Sequence, residues 1–448
     1  MVGHDVEHVA SQELEGNRIS VFASLGLHKV AETCRTATAM TAVGGGEGPA
    51  SIAAGAVFDV CGMSVGAVSC HYSDVSGEGI AQRTAARNVV TRQLMGDMNA
   101  RLGTYEGLDL QAQCDHLLWF GDFGYEINEA STGRVEQAVL DCVSLQDFSR
   151  LESRDCLRGE LAARRTLVGF TEGRLAYPPK LAFRGKPTAW ADRVLWCSKA
   201  AFRTWLTQRY LAPVLAPPWA AGLAHLPTVA SFQLHAPTVA PGADEVFVVL
   251  SGLTVSIEAS IVAADPGAVF AMRFLSDALP PTTAKTSGGG SSAGGEKFQT
   301  VAVPCDLPAD SGAWATLEWG GAPRTPRSAL AQTGEWRLPC RHSNVSSLGF
   351  RHVHLQLRMW SGSPRGGGIP GEGDGVVVGH GSLPLSPYTS VALPFNPGRP
   401  PSLQPFTLGL VRNSLLIGSV TGAAGIAGRA NFRGGAGNSA SAVGRGEW

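Results

Sequence analysis

From Val246 onward the sequence breaks into short runs rich in Val, Leu, Phe and Trp, separated by turn residues: VFVVLSGLTVSIEASIV, AVFAMRFL, KFQTVAVP, WATLEWG, HVHLQLRMW, GVVVGHGSLPLS, PFTLGLV and SLLIGSVTG. Runs of this length and spacing predict an antiparallel β-sandwich. The Pro-rich stretch YLAPVLAPPWAAGLAHLPTVASFQLHAPTVAPGADE precedes them and sets a boundary near Pro237–Ala243. Upstream of it helical and strand patterns are mixed. The 448 residues therefore divide into a mixed part over 1–236 and an all-β part over 244–422. Two Gly-rich inserts predict flexible loops near 286–296 and 363–375, and 423–448 lacks the apolar periodicity to fold, which predicts a disordered tail.

Several function classes recede on composition. Net charge is −1 with a pI of about 6.8, which supplies no basic footprint for nucleic acid. Nine Cys without a Cys-x-x-Cys pair suggest neither a disulfide framework nor a zinc site, so reduced thiols and a cytoplasmic setting are expected. The N-terminus, MVGHDVEHVASQELEGN, is polar and acidic, unlike a signal peptide. The most apolar stretch, Val246–Ala264, carries Ser251, Thr254, Ser256, Glu258 and Ser260 and is interrupted by Gly252. Two adjacent strands explain it better than a transmembrane helix, so membrane contact is expected to be peripheral.

Chemistry, if present, belongs to the first part. HLLWFGDFGYEI reads as an apolar strand running into Gly121-Asp122. An Asp in that place serves either as a turn residue or as a base at a sheet end. In RVEQAVLDCVSLQDFSRLESRDCLRGEL, Val135, Val139, Val143, Phe148 and Leu151 recur at near-helical intervals, predicting one or two amphipathic helices. FTEGRLAYPPKLAFRGKPTAWADRVLWCS and LAHLPTVASFQL follow.

The order of WFGDFGYEI, FTEGRLAYPPKLAF, TAWADRVLW and AHLPTVASF resembles the inositol polyphosphate 5-phosphatases of the endonuclease/exonuclease/phosphatase superfamily, over about residues 8–234. Their patterns are roughly WxGDxNYR, FxEGxIxFxPTYKF, PAWCDRVLW and SDHxPVxAxF. The resemblance implies an α+β fold, an αββα sandwich. It also implies one magnesium ion and hydrolysis of the 5-phosphate of phosphatidylinositol polyphosphates or inositol polyphosphates. The residue types suit that chemistry: carboxylates for a hard cation and for a water's proton, His and Asn for phosphoryl oxygens.

Carried over position by position, Asp122 matches the Asp that positions or activates water, His71 the phosphate-contacting His, and His225 the His of the last block. These are the candidate catalytic residues. Candidate substrate-binding residues are Lys180, Lys186, Asp192 and Arg193, although Asp192-Arg193 reads equally as a buried ion pair. The departures are as telling. Gly124 replaces an Asn, Glu126 an Arg, Ala224 an Asp, and Leu181 and Ala182 the Tyr and Lys that contact a ring phosphate. Glu126 should repel a phosphate. MSVGAVSCHY joins two family segments almost directly, as if a strand between them were missing. The magnesium-binding Glu belongs upstream of LEGNRISVFASLGLH, where Gln12-Glu13 stands at the wrong distance. No metal ligand is assigned, and the chain reads as incomplete at its N-terminus.

The expectation is thus an impaired magnesium-dependent 5-phosphatase acting on phosphoinositide lipids or inositol polyphosphates. The alternative is a catalytically inactive phosphoinositide-binding or scaffolding pseudophosphatase. The all-β part, through VVVGHGSLPLSPYTSVALPF, resembles the C2-like module of the SH2-containing inositol phosphatases. Its Asp265, Asp277, Asp306, Asp310 and Asp374 are dispersed, which favours calcium-independent packing.

Overall fold

The computed structural model describes residues 6–24, 27–42, 50–75, 77–128, 135–145, 147–175, 177–179, 188–199, 206–213, 228–235, 246–265, 268–275, 298–299, 303–304, 314–319, 335–340, 348, 351–360, 375–392, 401–413 and 415–428. The boundary stretch 236–245 and the loops at 286–296 and 363–374 lie outside them.

The chain opens with a hairpin of β1 (Val6–Leu14) and β2 (Asn17–Ser24), turned by Glu15 and Gly16 at φ 48 and 81°. Helix α1 (His28–Thr33) follows, then the antiparallel strands β3 (Arg35–Thr41), β4 (Ser51–Val60) and β5 (Met63–His71). Helix α2 (Ile80–Leu102) and the short α3 (Leu110–Gln113) return the chain to β6 (His116–Asp122), which pairs in parallel with β5. After α4 (Val135–Leu145), α5 (Ser149–Glu152) and α6 (Cys156–Ala162), strands β7 (Thr171–Glu172) and β8 (Asp192–Ser198) complete a six-stranded sheet ordered β3-β4-β5-β6-β8-β7. A second hairpin joins β9 (Leu206–Pro213) and β10 (Thr228–Leu234).

Strand parity sorts the sheet into two buried faces. Val57, Val68, Leu117, Trp119 and Leu195 meet Val90, Leu94, Met95, Met98 and Leu102 of α2. The opposite face, with Ala54, Ala56, Ala67 and Phe120, packs on Ile19, Val21 and Ala23 of β2, and Trp196 meets Phe232 of β10 edge to face. Helices thus cover one face of a mixed sheet and β-hairpins the other. The expected gap before His71 does not exist. β5 is one uninterrupted strand, in register with β4 from Met63 to His71 and with β6 from Val65. Gln12 and Glu13 lie within β1, paired to Ile19 and Arg18.

Gly121 makes the parallel pair possible. Its φ is +125°, and a Cβ there would lie 2.0 Å from the Cys70 carbonyl oxygen. Neither backbone can move without breaking the ladder. Gly121→Ala is expected to cost at least about 3 kcal/mol. Gly62→Ala, at φ +80° in open space, should cost about 1 kcal/mol. Urea unfolding of the two variants measures the difference, and equal losses would refute the steric account.

The all-β part is a ten-stranded antiparallel sheet, curled round one core. Its strands are β11 (Val246–Glu258), β12 (Val269–Leu275), β13 (Phe298–Gln299), β14 (Val303–Pro304), β15 (Trp314–Trp319), β16 (Glu335–Cys340), β17 (His352–Trp360), β18 (Val376–Pro384), β19 (Gln404–Arg412) and β20 (Leu415–Gly428). Short helices α7 (Ala259–Ala263) and α8 (Ser386–Ala392) accompany them. The two strands expected in Val246–Ala264 are one strand and a helical turn. β11 changes partner from β16 to β15 at Gly252, where φ is +59° and the register with β20 shifts. Val246, Val248 and Leu250 point inward before the bulge, and Leu253, Val255 and Ile257 after it. The tail begins later than expected, because β20 continues to Gly428, paired with Val246; residues 429–448 lie outside the described ones. Among the described residues no helix is long and apolar enough to cross a membrane.

The segment after α2 docks on the outer face of β17 and β18. Gln356 donates to the Glu106 carbonyl, Arg358 pairs with the Glu106 carboxylate at 3.2 Å, and the Asp109 N–H donates to His380 Nε2 at 2.9 Å. Tyr105 stacks obliquely on His354. This contact buries His352, His354, Gln356, Arg358 and His380, which alternation would otherwise turn toward water.

Candidate active site

Three side chains meet at one end of the six-stranded sheet. His71 ends β5, Asp122 ends β6 and Asp192 opens β8, and the register sets His71 opposite Asp122 and Asp122 opposite Asp192. Register partners share a face, here the hairpin side, because Cys70, Trp119 and Leu195 occupy the helix side. His71 Nδ1 lies 3.5 Å from Asp122 Oδ2, with the imidazole 44% exposed and the carboxylate 11%. An accessible imidazole beside a shielded carboxylate can move a proton and bind an oxyanion. The adjacent Cys70 thiol is no nucleophile, since burial holds its pKa well above the ordinary value.

The backbone around the three is tied down. Tyr72 N–H donates to the Asp122 carbonyl, Phe123 N–H to that of Ala191, and the Tyr177 hydroxyl to that of Asp192. Trp190 Nε1 donates to the Tyr177 carbonyl, closing a second layer of support.

Two sequence expectations need correction here. Glu126 does not face a phosphate. Its carboxylate is 3% exposed and receives Arg83 Nε at 2.6 Å and Nη2 at 2.7 Å, with Arg87 Nη1 at 3.4 Å. Its charge is met from α2, so the expected repulsion is absent. Arg193, expected to bind substrate, is fully buried instead. It donates to both oxygens of Asp155 at 3.0 Å and to both of Glu172 at 2.5 Å. Burial disfavours its charge, and the two carboxylates more than offset that, raising its pKa. The residue is a structural clamp joining α6, β7 and β8.

Asp192 stands in the site as expected, half-buried. Lys180, Lys186 and His225 lie outside the described residues. Among the described residues no group of three His, Cys, Asp or Glu could hold a metal ion. A sequence reading missed Arg83 and Arg87, although their spacing of four on a helix was a signal that both face one side. It also missed the buried chain running from the Tyr125 hydroxyl to Asn88 and on to Glu160 and Arg165. A cleft of about 570 Å³ between α2 and α6, lined by Thr84, Asn88, Asn128, Arg154 and Glu160, is separate from His71 and Asp122.

Residues 3–212 match the model of Endonuclease/Exonuclease/phosphatase family 2. Over 96 residues the chain is 32% identical to the Type II inositol 1,4,5-trisphosphate 5-phosphatase of Mus musculus, a match covering 19% of this chain and 9% of that protein. Over 93 residues it is 33% identical to Synaptojanin of Caenorhabditis elegans, covering 18% of this chain and 8% of that one. The chain therefore spans less than a tenth of the length of these curated relatives. Among solved structures, the inositol polyphosphate 5-phosphatase domain of SpSynaptojanin, in complex with inositol (1,4)-bisphosphate and calcium ion, gives a TM-score of 0.37 at 16% identity, over 51% of this chain and 64% of that one. The ferrous NO complex of Cimex nitrophorin gives 0.36 at 15%, over 51% and 74%. By the family match, residues 3–212 are a domain of the endonuclease/exonuclease/phosphatase family.

Proposed function

We propose that this chain binds the phosphorylated ring of inositol polyphosphates or phosphoinositide lipids and hydrolyses the 5-phosphate, at a rate reduced by its altered site. The observation that carries the reading is the row of His71, Asp122 and Asp192 across three strand ends, together with similarity to two inositol phosphatases. In this reading Asp122 takes the proton of the water that attacks phosphorus, and His71 donates to a phosphoryl oxygen. Asp192 orients the water or the ring. Lys180, Lys186 and His225 belong to the same proposal as further ligand contacts.

The magnesium implied by the resemblance finds no trio of donors among the described residues, and no step is routed through it. That shortfall favours a second reading, a pseudophosphatase that binds the same ligands without turning them over. A C2-like identity for the all-β part, peripheral contact with membranes and a cytoplasmic setting complete the proposal.

Phosphate release from soluble and lipid inositol polyphosphates, with magnesium supplied, separates the readings. Slow release is expected, lowered about 100-fold by Asp122→Asn and strongly by Asp192→Asn. Release no greater than that of the variants, from folded protein that still binds the ligands, would leave the pseudophosphatase.

A further inference from the structure

Helix α2 brings a charge to this site that the mechanism above leaves unused. The Arg87 side chain is 5% exposed. Burial lowers its pKa, and the nearby Glu126, Tyr125, Asp74 and Asp122 counter that. Its hydrogen bond to Glu126 is long, 3.4 Å, and Glu126 is already held at both oxygens by Arg83. Among the described residues Arg87 Nε has no hydrogen-bond partner. The guanidinium stands where a side chain on residue 124 would go. A Cβ built on Gly124 would fall 3.2 Å from Nε and 3.4 Å from Nη2, and φ there is +59°. A cation buried with incomplete hydrogen bonding, within electrostatic reach of Asp122, is short of an anionic partner.

We infer that Arg87 is a substrate-binding residue: admitted by the bare backbone of Gly124, its guanidinium donates to a phosphoryl oxygen of the ligand held at His71 and Asp122. The inference rests on the proposed phosphate-handling function. A purely structural Arg87 would serve Glu126, yet Arg83 already meets both oxygens of that carboxylate.

Calorimetric titration of the full chain with inositol 1,4,5-trisphosphate tests it. Arg87→Gln should weaken binding about tenfold or more, and Arg87→Lys less, since it keeps the charge but loses the fork. Glu126→Gln should tighten binding several-fold by releasing Arg87, whereas a structural pairing predicts loss. Gly124→Asn should weaken binding by displacing the guanidinium, and should add little in an Arg87→Gln background. Equal binding by wild type and Arg87→Gln, both folded, would overturn the role of Arg87 and leave the proposed function standing. No binding by the wild type would overturn both. If Arg87→Gln does not fold, the Glu126→Gln and Gly124→Asn arms decide.

Discussion

Replacement of Arg193 by Met is expected to destabilise the chain by about 3–5 kcal/mol, the usual cost of stranding buried carboxylates. Asp155 and Glu172 have 0 and 2% exposed side chains, and each meets Arg193 through both oxygens. Arg158 cannot take over. Its Nε lies 3.4 Å from Glu172, and its own side chain is 29% exposed. Asp155 also accepts from the Arg158 N–H as the N-cap of α6, so its displacement would fray that helix as well. Met matches the volume of the arginine stem, which confines the loss to charge. Arg165→Met is the control, since Arg165 is 61% exposed in its pair with Glu160 and should cost under about 1 kcal/mol. Urea unfolding of both, at neutral pH, gives the two figures; comparable losses would mean that the clamp is not what holds α6 to the sheet.

Mild acid should act with similar force on the contact between the two parts of the chain. His352 and His354 lie side by side in sequence parity on β17, on the face covered by Tyr105 and Glu106. Burial, with a smaller push from Lys199, lowers the pKa of His352 to about 3 and that of His354 well below the ordinary value. Both are therefore neutral in the folded chain, while in the unfolded chain they titrate near 6.5. Stability is full above that unfolded value. It falls as pH drops below it, because the unfolded state then binds protons that the folded state refuses. Between pH 7 and 5 each histidine should contribute a loss of about 2 kcal/mol. His116, lowered by burial to about 4, acts in the same direction. Unfolding free energies at pH 7, 6 and 5, for the wild type and for His352→Gln with His354→Gln, measure the effect. Parallel pH profiles would show that these two rings do not report on folding.

Legibility in the sequence varied with the locality of the signal. The turn chemistry after Val246 marked an all-β part, since each strand there carries its own apolar alternation and its own stop. The helices after Asp122 were also visible, with Val139, Phe148 and Leu151 buried as their spacing required. Asp122, His71 and Asp192 were found because short motifs travel with strand ends. The partners of Arg193 and Glu126 were not found. Arg193 reaches back 38 residues to Asp155, and Glu126 reaches back 43 residues to Arg83. Such pairings depend on which elements cross, which no local window contains. Taken residue by residue, a Glu in place of an Arg looked like repulsion; only the approach of α2 shows it to be a paired group. The same limit hid the polar face of β17, where alternation predicted solvent and the chain supplied Glu106 and Asp109 instead.

The bulge at Gly252 also governs how β11 can vary in length. Before it the inward positions fall on even numbers, after it on odd ones, and both sets belong to one core. Removing one residue there would exchange inside for outside over a whole half of the strand, sending Leu253, Val255 and Ile257 toward solvent. Removing or adding two would preserve the phase. The strand thus behaves like a text with a reading frame, tolerant of changes in pairs and broken by single ones, with Gly252 as the one letter that sets the second half in step.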